Sequence, residues 1–314
     1  MSQISKISVL GGGVIGASWT ALFLASGRDV TVYDPAPDAE SKVKSYIETA
    51  WPSLEALGLV GSTAPGEVSF AKTAADASAD ADFVQENVPE RLPIKHAIYN
   101  EIEPVLPKTA IVSSSTSGLT LEALQEGWQN PANFVLGHPF NPPHLIPLVE
   151  LTANEKTDPA TLDATETFYE TIGKVTIRIR KGMPGHVANR LQAAVWREAV
   201  FMAVEGVASV EDIDKAMWAG PGLRWAAMGP TTLFHLGAGD GGLQAFCDHF
   251  RDTFNGWWDG LGDPRLDDTV IEKLVAGMNE QARGRSPREL SEERDRMLVA
   301  LQAATRALRK QSAD

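Results

Sequence analysis

Three polar segments follow apolar stretches in the first half of the chain, and they contain residue types that can exchange protons. They are Glu-Asn at 86–87, Ser-Ser-Ser-Thr-Ser at 113–117, and His-Pro-Phe-Asn at 138–141. His138 is the natural acid or base, because the ordinary pKa of imidazole is close to neutral. Glu150 follows after one short turn, and its carboxylate can orient the imidazole and favour the protonated form. A serine hydroxyl can polarise a substrate oxygen, so this chemistry suits an alcohol or a ketone.

These side chains need elements that bring them to one place, and the first 34 residues indicate which. Residues 4–34 read as a strand, a glycine turn, an apolar helix and a second strand that ends at Asp34. The glycines match G-x-G-x-x-G, in which the turn approaches a pyrophosphate and the helix amino terminus faces it. An acid at position 34 favours a ribose 2′-hydroxyl over a 2′-phosphate, so the predicted cofactor is NAD. The predicted cofactor-binding residues of this segment are Gly11, Gly13, Val14, Ile15, Gly16 and Asp34.

The same stretch has a second interpretation, because residues 7–27 carry no charge and are numerous enough to span a bilayer or form a signal peptide. Five glycines and several hydroxyl groups make this stretch less apolar than a membrane span. The apolar part before Gly11 has only the length of a strand. We therefore expect no membrane segment here.

Composition excludes several classes of function. The 314 residues carry a formal net charge of −13, which argues against a nucleic-acid partner because phosphates would be repelled. Cys247 is the only cysteine, so no internal disulfide is possible and a cytoplasmic location is expected. The sequence contains no Cys/His cluster that indicates a metal site.

The order of predicted elements gives the fold class. Strands and helices alternate up to about residue 182, which predicts a Rossmann-type, doubly wound and mostly parallel α/β sheet. Only helical patterns follow, so we expect an all-α carboxyl-terminal domain, whose first helix is predicted over 186–207. With the boundary near Pro184, the predicted domains are an NAD-binding domain at 1–184 and a substrate and dimerisation domain at 185–314. Parallel strands place their carboxyl ends at one edge, where all three polar segments would meet.

Several motifs give the chain a resemblance to the 3-hydroxyacyl-CoA dehydrogenase superfamily along nearly its whole length. They are the glycine loop, Gln-Glu-Asn at 85–87, Ser-Ser-Thr-Ser at 114–117, Gly-His-Pro-Phe-Asn-Pro at 137–142, Leu-Val-Glu at 148–150 and Ala-Asn-Arg at 188–190. The resemblance implies an active site of Ser114, His138, Glu150 and Asn189. It also implies that Glu86 lies near the nicotinamide ribose. Where the family usually has Asn after its serine, this chain has Ser115.

Each of these residues also has a structural interpretation. His138 can be a buried structural histidine, and Ser114 can cap a turn. Asn189 can pack a helix between the domains, and Glu86 can be a solvated charge at a strand end. The catalytic interpretation depends on finding the imidazole and the acid together beside the nucleotide site.

Two segments of the helical half, Gly-Pro-Gly-Leu-Arg-Trp at 220–225 and Met-Gly-Pro at 228–230, resemble the small-substrate branch of the superfamily. This branch includes L-carnitine dehydrogenases, L-gulonate 3-dehydrogenases and lambda-crystallin. Lys42 and Lys44 are the only basic residues between Asp34 and Lys72, and a CoA-binding hairpin would be more basic. The expected reaction is therefore NAD-dependent oxidation of a small 3-hydroxy acid, with L-carnitine first. L-gulonate and a short 3-hydroxyacyl-CoA are the alternatives, and a non-catalytic, crystallin-like NAD-binding protein is another.

Substrate contacts are expected mainly from the helical half. Arginine can pair with a carboxylate through two hydrogen bonds, and aromatic rings attract quaternary ammonium groups. Aromatic residues at helical spacing also fit a core or a dimer interface. The resemblance implies a homodimer. The predicted substrate residues are Ser117, Arg190, Trp196, Arg224 and Trp225.

Overall fold

The computed structural model describes residues 4–61 and 64–311, with side chains up to residue 308. The chain divides into two compact units. The first contains the chain up to Val187 together with the residues from Arg294 onward, and the second is Ala188–Glu293. The predicted functional domains, 1–184 and 185–314, stay predictions.

The first unit contains one eight-stranded sheet with the strand order β3-β2-β1-β4-β5-β6-β7-β8. The β6–β7 pairing is antiparallel and all the others are parallel, which confirms the predicted mostly parallel α/β fold. The strands are β1 Lys6–Leu10, β2 Asp29–Tyr33, β3 Val68–Phe70, β4 Phe83–Glu86, β5 Ile111–Ser114, β6 Phe134–Pro139, β7 Leu148–Thr152 and β8 Val175–Ile179.

Helices alternate with the strands up to β8, and the described residues after β8 form helices and no further strand. Side chains cap two of the helix starts, where the Asp158 carboxylate accepts from Ala160 N and the Ser209 hydroxyl accepts from Asp212 N. The helices are α1 Val14–Ala25, α2 Ala39–Ala56, α3 Ala74–Ser78, α4 Leu92–Ile102, α5 Leu121–Leu124, α6 Pro159–Thr171, α7 Ala188–Val204, α8 Val210–Ala219, α9 Pro221–Ala227, α10 Pro230–Leu236, α11 Gly242–Asp259, α12 Asp268–Ala282 and α13 Pro287–Gln311.

The uncharged stretch 7–27 belongs to the core of the first unit. It forms β1, the glycine turn and α1, and every residue from Gly16 to Ala25 is buried. Trp19 stacks on Phe23 with ring centroids 5.2 Å apart and contacts Tyr169 of α6 at 5.4 Å. Within the described residues, no helix combines the length and apolar character that crossing a bilayer requires.

The second unit is built differently, from short and medium helices that bury little. Its buried large hydrophobic residues, among those the structure describes, are Val200, Ile213 and Val270. The short helices α9 and α10 were not predicted, and each begins with a proline at its first turn. Four tryptophans of this unit are at least half exposed: Trp196, Trp218, Trp257 and Trp258.

Candidate active site

A buried imidazole and a buried carboxylate face each other across β6 and β7. The antiparallel register places His138 opposite Glu150. Nδ1 of His138 lies 2.8 Å from Oε2 of Glu150, and the residues are 6% and 0% exposed. Oε1 of Glu150 accepts a hydrogen bond from Val187 N at 2.9 Å. Because Nδ1 is engaged with the carboxylate, Nε2 is the nitrogen of His138 that can exchange a proton with a substrate.

The connection between β6 and β7 is fixed at several points, which holds the His138–Glu150 pair in register. His144 N donates to Ser18 Oγ on α1 at 2.9 Å, and His144 Nδ1 lies 2.8 Å from the same oxygen. Burial lowers the pKa of His144 to about 4, so its ring is neutral. Lys174 Nζ donates to the carbonyls of Pro143 and Ile146 at 2.6 and 2.7 Å.

Glu86 is the centre of a second buried network at the end of β4. Lys95 Nζ donates to both of its oxygens at 2.7 and 3.0 Å, and Val88 N donates at 2.7 Å. Tyr99 OH and Ser114 Oγ each donate to Oε2 at 2.6 Å. Glu86 is fully buried, with both oxygens occupied by protein donors. Its predicted contact with the nicotinamide ribose stays a prediction, as does the role of Ser114, whose hydrogen points to Glu86.

Ser115 has defined partners at the position where the family usually has asparagine. Its hydroxyl donates to Asn87 Oδ1 at 2.7 Å and accepts from Gln85 Nε2 at 2.9 Å. Asn87 Nδ2 in turn donates to the carbonyl of Gln85 at 2.9 Å. This ring of hydrogen bonds joins the ends of β4 and β5.

Sequence reasoning missed Glu90, a partly exposed carboxylate in the turn after β4. Its Oε1 accepts from the Thr116 hydroxyl, from Ser117 N at 3.0 Å and from Gly118 N at 2.8 Å. Burial raises the pKa of Glu90, but these hydrogen bonds and Lys95 outweigh it and leave the pKa below its ordinary value. The sequence signal that could have identified Glu90 is the presence of a second acid four residues after Glu86, at the end of β4.

Sequence reasoning also missed His186, because the apolar spacing predicted a helix over 186–207 that includes it. The helix begins at Ala188, and His186 has a left-handed backbone with φ 49°. That conformation is uncommon for any residue but glycine, although histidine is enriched among the exceptions. The residue is 5% exposed, and its ring centroid lies 4.8 Å from that of His138 with an angle of 36° between the planes. Non-glycine residues in this conformation cluster at functional sites.

The glycine turn fits the pyrophosphate of NAD. Gly11 has φ +91°, and a Cβ at Gly16 would lie 1.8 Å from the carbonyl oxygen of Gly11, so neither position accepts a side chain. Gly13 is the N-cap of α1, and no side chain of the described residues caps that end, so the first amides remain for an anion. A Cβ at Gly13 would meet nothing within 4 Å, which leaves room for a ligand.

Asp34 ends β2 beside this turn. Its Oδ2 accepts from Gly12 N at 2.7 Å and its Oδ1 from Ala36 N at 2.9 Å. The carboxylate is only partly buried, so lone pairs remain for ribose hydroxyl groups. Val14 is 60% exposed at the start of α1, and Ile15 packs against the core. These positions are compatible with the predicted cofactor site.

The other predicted site residues lie on the second unit, apart from Ser117, which is exposed and donates its N–H to Glu90. Asn189 and Arg190 are in the first turn of α7, and Trp196 is two turns further along. Arg224 and Trp225 are on α9. The roles of these residues in substrate binding stay predictions.

Comparison with known families identifies the fold and the chemistry. Residues 6–182 match the NAD-binding domain of 3-hydroxyacyl-CoA dehydrogenase, and residues 185–283 match the C-terminal domain of the same family. The chain belongs to the 3-hydroxyacyl-CoA dehydrogenase family. It is therefore an NAD-dependent oxidoreductase that acts on a CH–OH group, as the motifs predicted.

Within this family, the chain is similar to several L-carnitine dehydrogenases. It is 43% identical to an L-carnitine dehydrogenase of Nocardiopsis dassonvillei, over 96% of this chain and 92% of that enzyme. The L-carnitine dehydrogenase of Streptomyces coelicolor is also 43% identical, over 96% and 95% of the two chains. Among solved structures, the NAD+-dependent dismutase 5-formyl-3-hydroxy-2-methylpyridine 4-carboxylic acid 5-dehydrogenase superposes with a TM-score of 0.84 at 31% identity, covering 97% and 99% of the chains.

Proposed function

We propose that this protein catalyses the NAD-dependent oxidation of the 3-hydroxyl group of a small 3-hydroxy acid to the 3-keto acid. The proposed substrate is L-carnitine, which becomes 3-dehydrocarnitine. The observation that carries the proposal is the buried 2.8 Å contact between His138 Nδ1 and Glu150 Oε2. Similarity to L-carnitine dehydrogenases supports the choice of acid.

The His138–Glu150 pair supplies the proton acceptor of the reaction. Nε2 of His138 takes the proton of the 3-hydroxyl group, and the imidazole becomes cationic. Glu150 holds the ring in one tautomer and stabilises the new positive charge at short range. Bound NAD supplies the hydride acceptor. Asn189 is the proposed side-chain donor to the substrate oxygen, because the hydrogen of Ser114 is directed to Glu86 and leaves that hydroxyl as an acceptor.

The region between Asp34 and Lys72 argues against an acyl-CoA substrate. Lys42 pairs with Asp38 at 2.7 Å, and Lys44 pairs with Glu40 at 2.6 Å. Each lysine thus has an acid one helical turn away, so the two pairs together give this face no excess of positive charge for the phosphates of CoA.

The second unit supplies groups that suit a zwitterionic acid. The side chains of Trp196 and Trp225 are 52% and 37% exposed, and such rings attract a quaternary ammonium group. Arg190 and Arg224 are exposed, and guanidinium groups pair with carboxylates. We infer that these residues and Ser117 contribute to substrate binding. Replacing Trp225 with Ala would then raise the KM for L-carnitine more than the KM for 3-hydroxybutyrate, which has no ammonium group.

We also infer a cytoplasmic homodimer. The single cysteine, Cys247, supports the location, since proteins of reducing compartments rarely carry disulfides. The dimer is implied by the family resemblance. The exposed tryptophans of the second unit and an apolar cavity of about 280 Å³ support it, since an apolar surface of this kind is usually covered by a partner. The aromatic residues that line the cavity are Phe234, Phe246, Phe250, Phe254 and Trp258. Sedimentation of the wild type and of Trp257→Glu tests this, with a shift to monomer expected for the variant.

The test of the reaction is NADH formation with a panel of L-carnitine, D-carnitine, L-gulonate, 3-hydroxybutyrate and its CoA ester. L-carnitine should give the highest kcat/KM. His138→Ala should lower kcat by about 10²–10⁴-fold with NAD binding retained. The matched control is His96→Gln, which keeps a donor for the Ala123 carbonyl. Turnover of L-gulonate alone, or of the CoA ester alone, would make that compound the substrate in place of L-carnitine. No turnover of any compound in the panel would overturn the choice of L-carnitine and widen the search for the substrate.

A further inference from the structure

The mechanism above leaves His186 without a role, although it lies against the catalytic imidazole. Its ring centroid is 4.8 Å from that of His138, and the residue is 5% exposed. Gly185 and His186 both have left-handed backbones, with φ 78° and 49°, which turn the chain sharply before α7. A side chain held in this way, beside the proton acceptor, is positioned by the fold rather than by its own preference.

The hydrogen bonds of His186 are incomplete. Nε2 lies 3.4 Å from the carbonyl oxygen of Thr116, and because a carbonyl only accepts, Nε2 carries a hydrogen. Nδ1 is buried and has no partner among the described residues. Buried polar atoms without partners are rare, and each one calls for an explanation such as a missing ligand. If Nδ1 is also protonated, an anion beside it satisfies the ring completely.

We propose that His186 contacts the substrate directly, with its Nδ1–H donating to the carboxylate while His138 engages the 3-hydroxyl group. This rests on the proposed function and names the group that recognises the acid. In a 3-hydroxy acid, two carbon–carbon bonds separate the carbinol carbon from the carboxyl carbon, so one molecule can reach two rings that are 4.8 Å apart. Unlike the predicted arginines, His186 belongs to the same unit as His138.

Binding of the carboxylate is coupled to protonation. Burial, and then the neighbouring His138, lower the pKa of His186, while Glu150 and Glu90 oppose this shift. His186 is therefore neutral before the acid binds. The incoming carboxylate favours the imidazolium, so the ring takes one proton from solvent and pairs with the bound anion.

Proton uptake can be measured without turnover. The probe is 4-(trimethylammonio)butanoate, the 3-deoxy analogue of L-carnitine, titrated into the NADH-loaded protein by calorimetry in buffers of different ionisation enthalpy. The wild type should bind it with uptake of close to one proton. His186→Phe keeps an aromatic ring against His138 but has no nitrogen, so uptake should vanish and the Kd should rise about tenfold or more. His186→Asn is the second variant, because asparagine tolerates the left-handed backbone.

The outcomes separate this inference from the proposed reaction. Equal uptake and equal Kd in wild type and His186→Phe would overturn the role of His186, as would no binding of the probe to a wild type that oxidises L-carnitine. No binding together with no oxidation would overturn both proposals. If the probe binds with uptake that depends on His186 but L-carnitine is not oxidised, the carboxylate contact stands and the proposed reaction fails. If His186→Asn loses affinity as His186→Phe does, loss of the imidazole rather than backbone strain is the cause.

Discussion

Two fully buried carboxylates, Glu86 on β4 and Glu150 on β7, have partners of different chemistry. Glu86 accepts from the ammonium of Lys95 at 2.7 Å and also from Tyr99 and Ser114. Glu150 accepts instead from the imidazole of His138, at 2.8 Å. An ammonium in a buried salt bridge keeps its charge throughout a reaction, whereas an imidazole can change charge at neutral pH. The same residue type thus pairs with a fixed charge at one site and, in the proposed reaction, supports proton transfer at the other.

The largest expected effect concerns Glu150. Glu150→Gln removes the negative charge that stabilises the imidazolium of His138, so kcat should fall by about 10²–10⁴-fold. Steady-state NADH formation measures this, and NAD binding should stay close to that of the wild type. Glu126→Gln is the control, because Glu126 is exposed. An unchanged kcat in Glu150→Gln would mean that both buried carboxylates are structural.

The complementary substitution at Glu86 should act mainly on stability. Glu86→Gln leaves the Lys95 ammonium, which is 1% exposed, without its main counterion. Removing one partner of a buried pair costs about 3–5 kcal/mol in the free energy of unfolding. We expect a loss of about 3 kcal/mol, at the lower end of this range, because the Glu90 carboxylate also lies 3.5 Å from Lys95 Nζ. Urea denaturation measures the loss, and adding Lys95→Met should recover much of it. If Glu86→Gln were as stable as the wild type, Glu86 would not stabilise the buried charge of Lys95, and the contrast with Glu150 would be wrong.

Lys174 extends the comparison to a buried cation that donates to carbonyls instead of a carboxylate. Burial, together with Arg306, lowers its pKa from 10.5 to about 7. Between these values the unfolded chain binds more protons, so the contribution of Lys174 makes stability rise with pH, by up to about 1.4 kcal/mol per pH unit. Lys174→Met should flatten that part of the stability profile between pH 7 and 10.5, measured by urea denaturation. If the stability profiles of Lys174→Met and the wild type ran parallel, Lys174 would not lose its proton in this pH range.

The His138–Glu150 pair could be predicted from sequence because both residues lie in a local strand-turn-strand motif. The network of Glu86 could not, although one signal was present. Lys95 and Tyr99 are four residues apart and therefore share a face of α4, which directs both side chains at one place. Neither their burial nor their common partner follows from that spacing.

The packing of the last helix is a second example of information that spacing does not contain. Gln302 donates to the carbonyl of Leu145 at 2.6 Å, and Arg306 donates to that of Leu57 at 2.9 Å. These are contacts of side chains with distant backbone oxygens, and a carbonyl acceptor leaves no trace in sequence. A helix can be predicted from its caps and periodicity, but the unit it packs with depends on such contacts.

The smallest effect is expected for substitution of Asp34. This carboxylate differs from Glu86 and Glu150, because it is only partly buried and accepts hydrogen bonds from the backbone N–H groups of Gly12 and Ala36. Because its remaining lone pairs are proposed to accept from ribose hydroxyl groups, Asp34→Ala should raise the Kd for NAD about tenfold. The substitution should also reduce the preference for NAD over NADP, because it removes a negative charge that would repel the 2′-phosphate of NADP. Quenching of tryptophan fluorescence measures both constants, with the exposed Asp80→Ala as control. At saturating NAD the kcat should be unchanged, which separates a carboxylate that binds cofactor from Glu150. A fall in kcat with an unchanged Kd would place Asp34 with the catalytic residues instead.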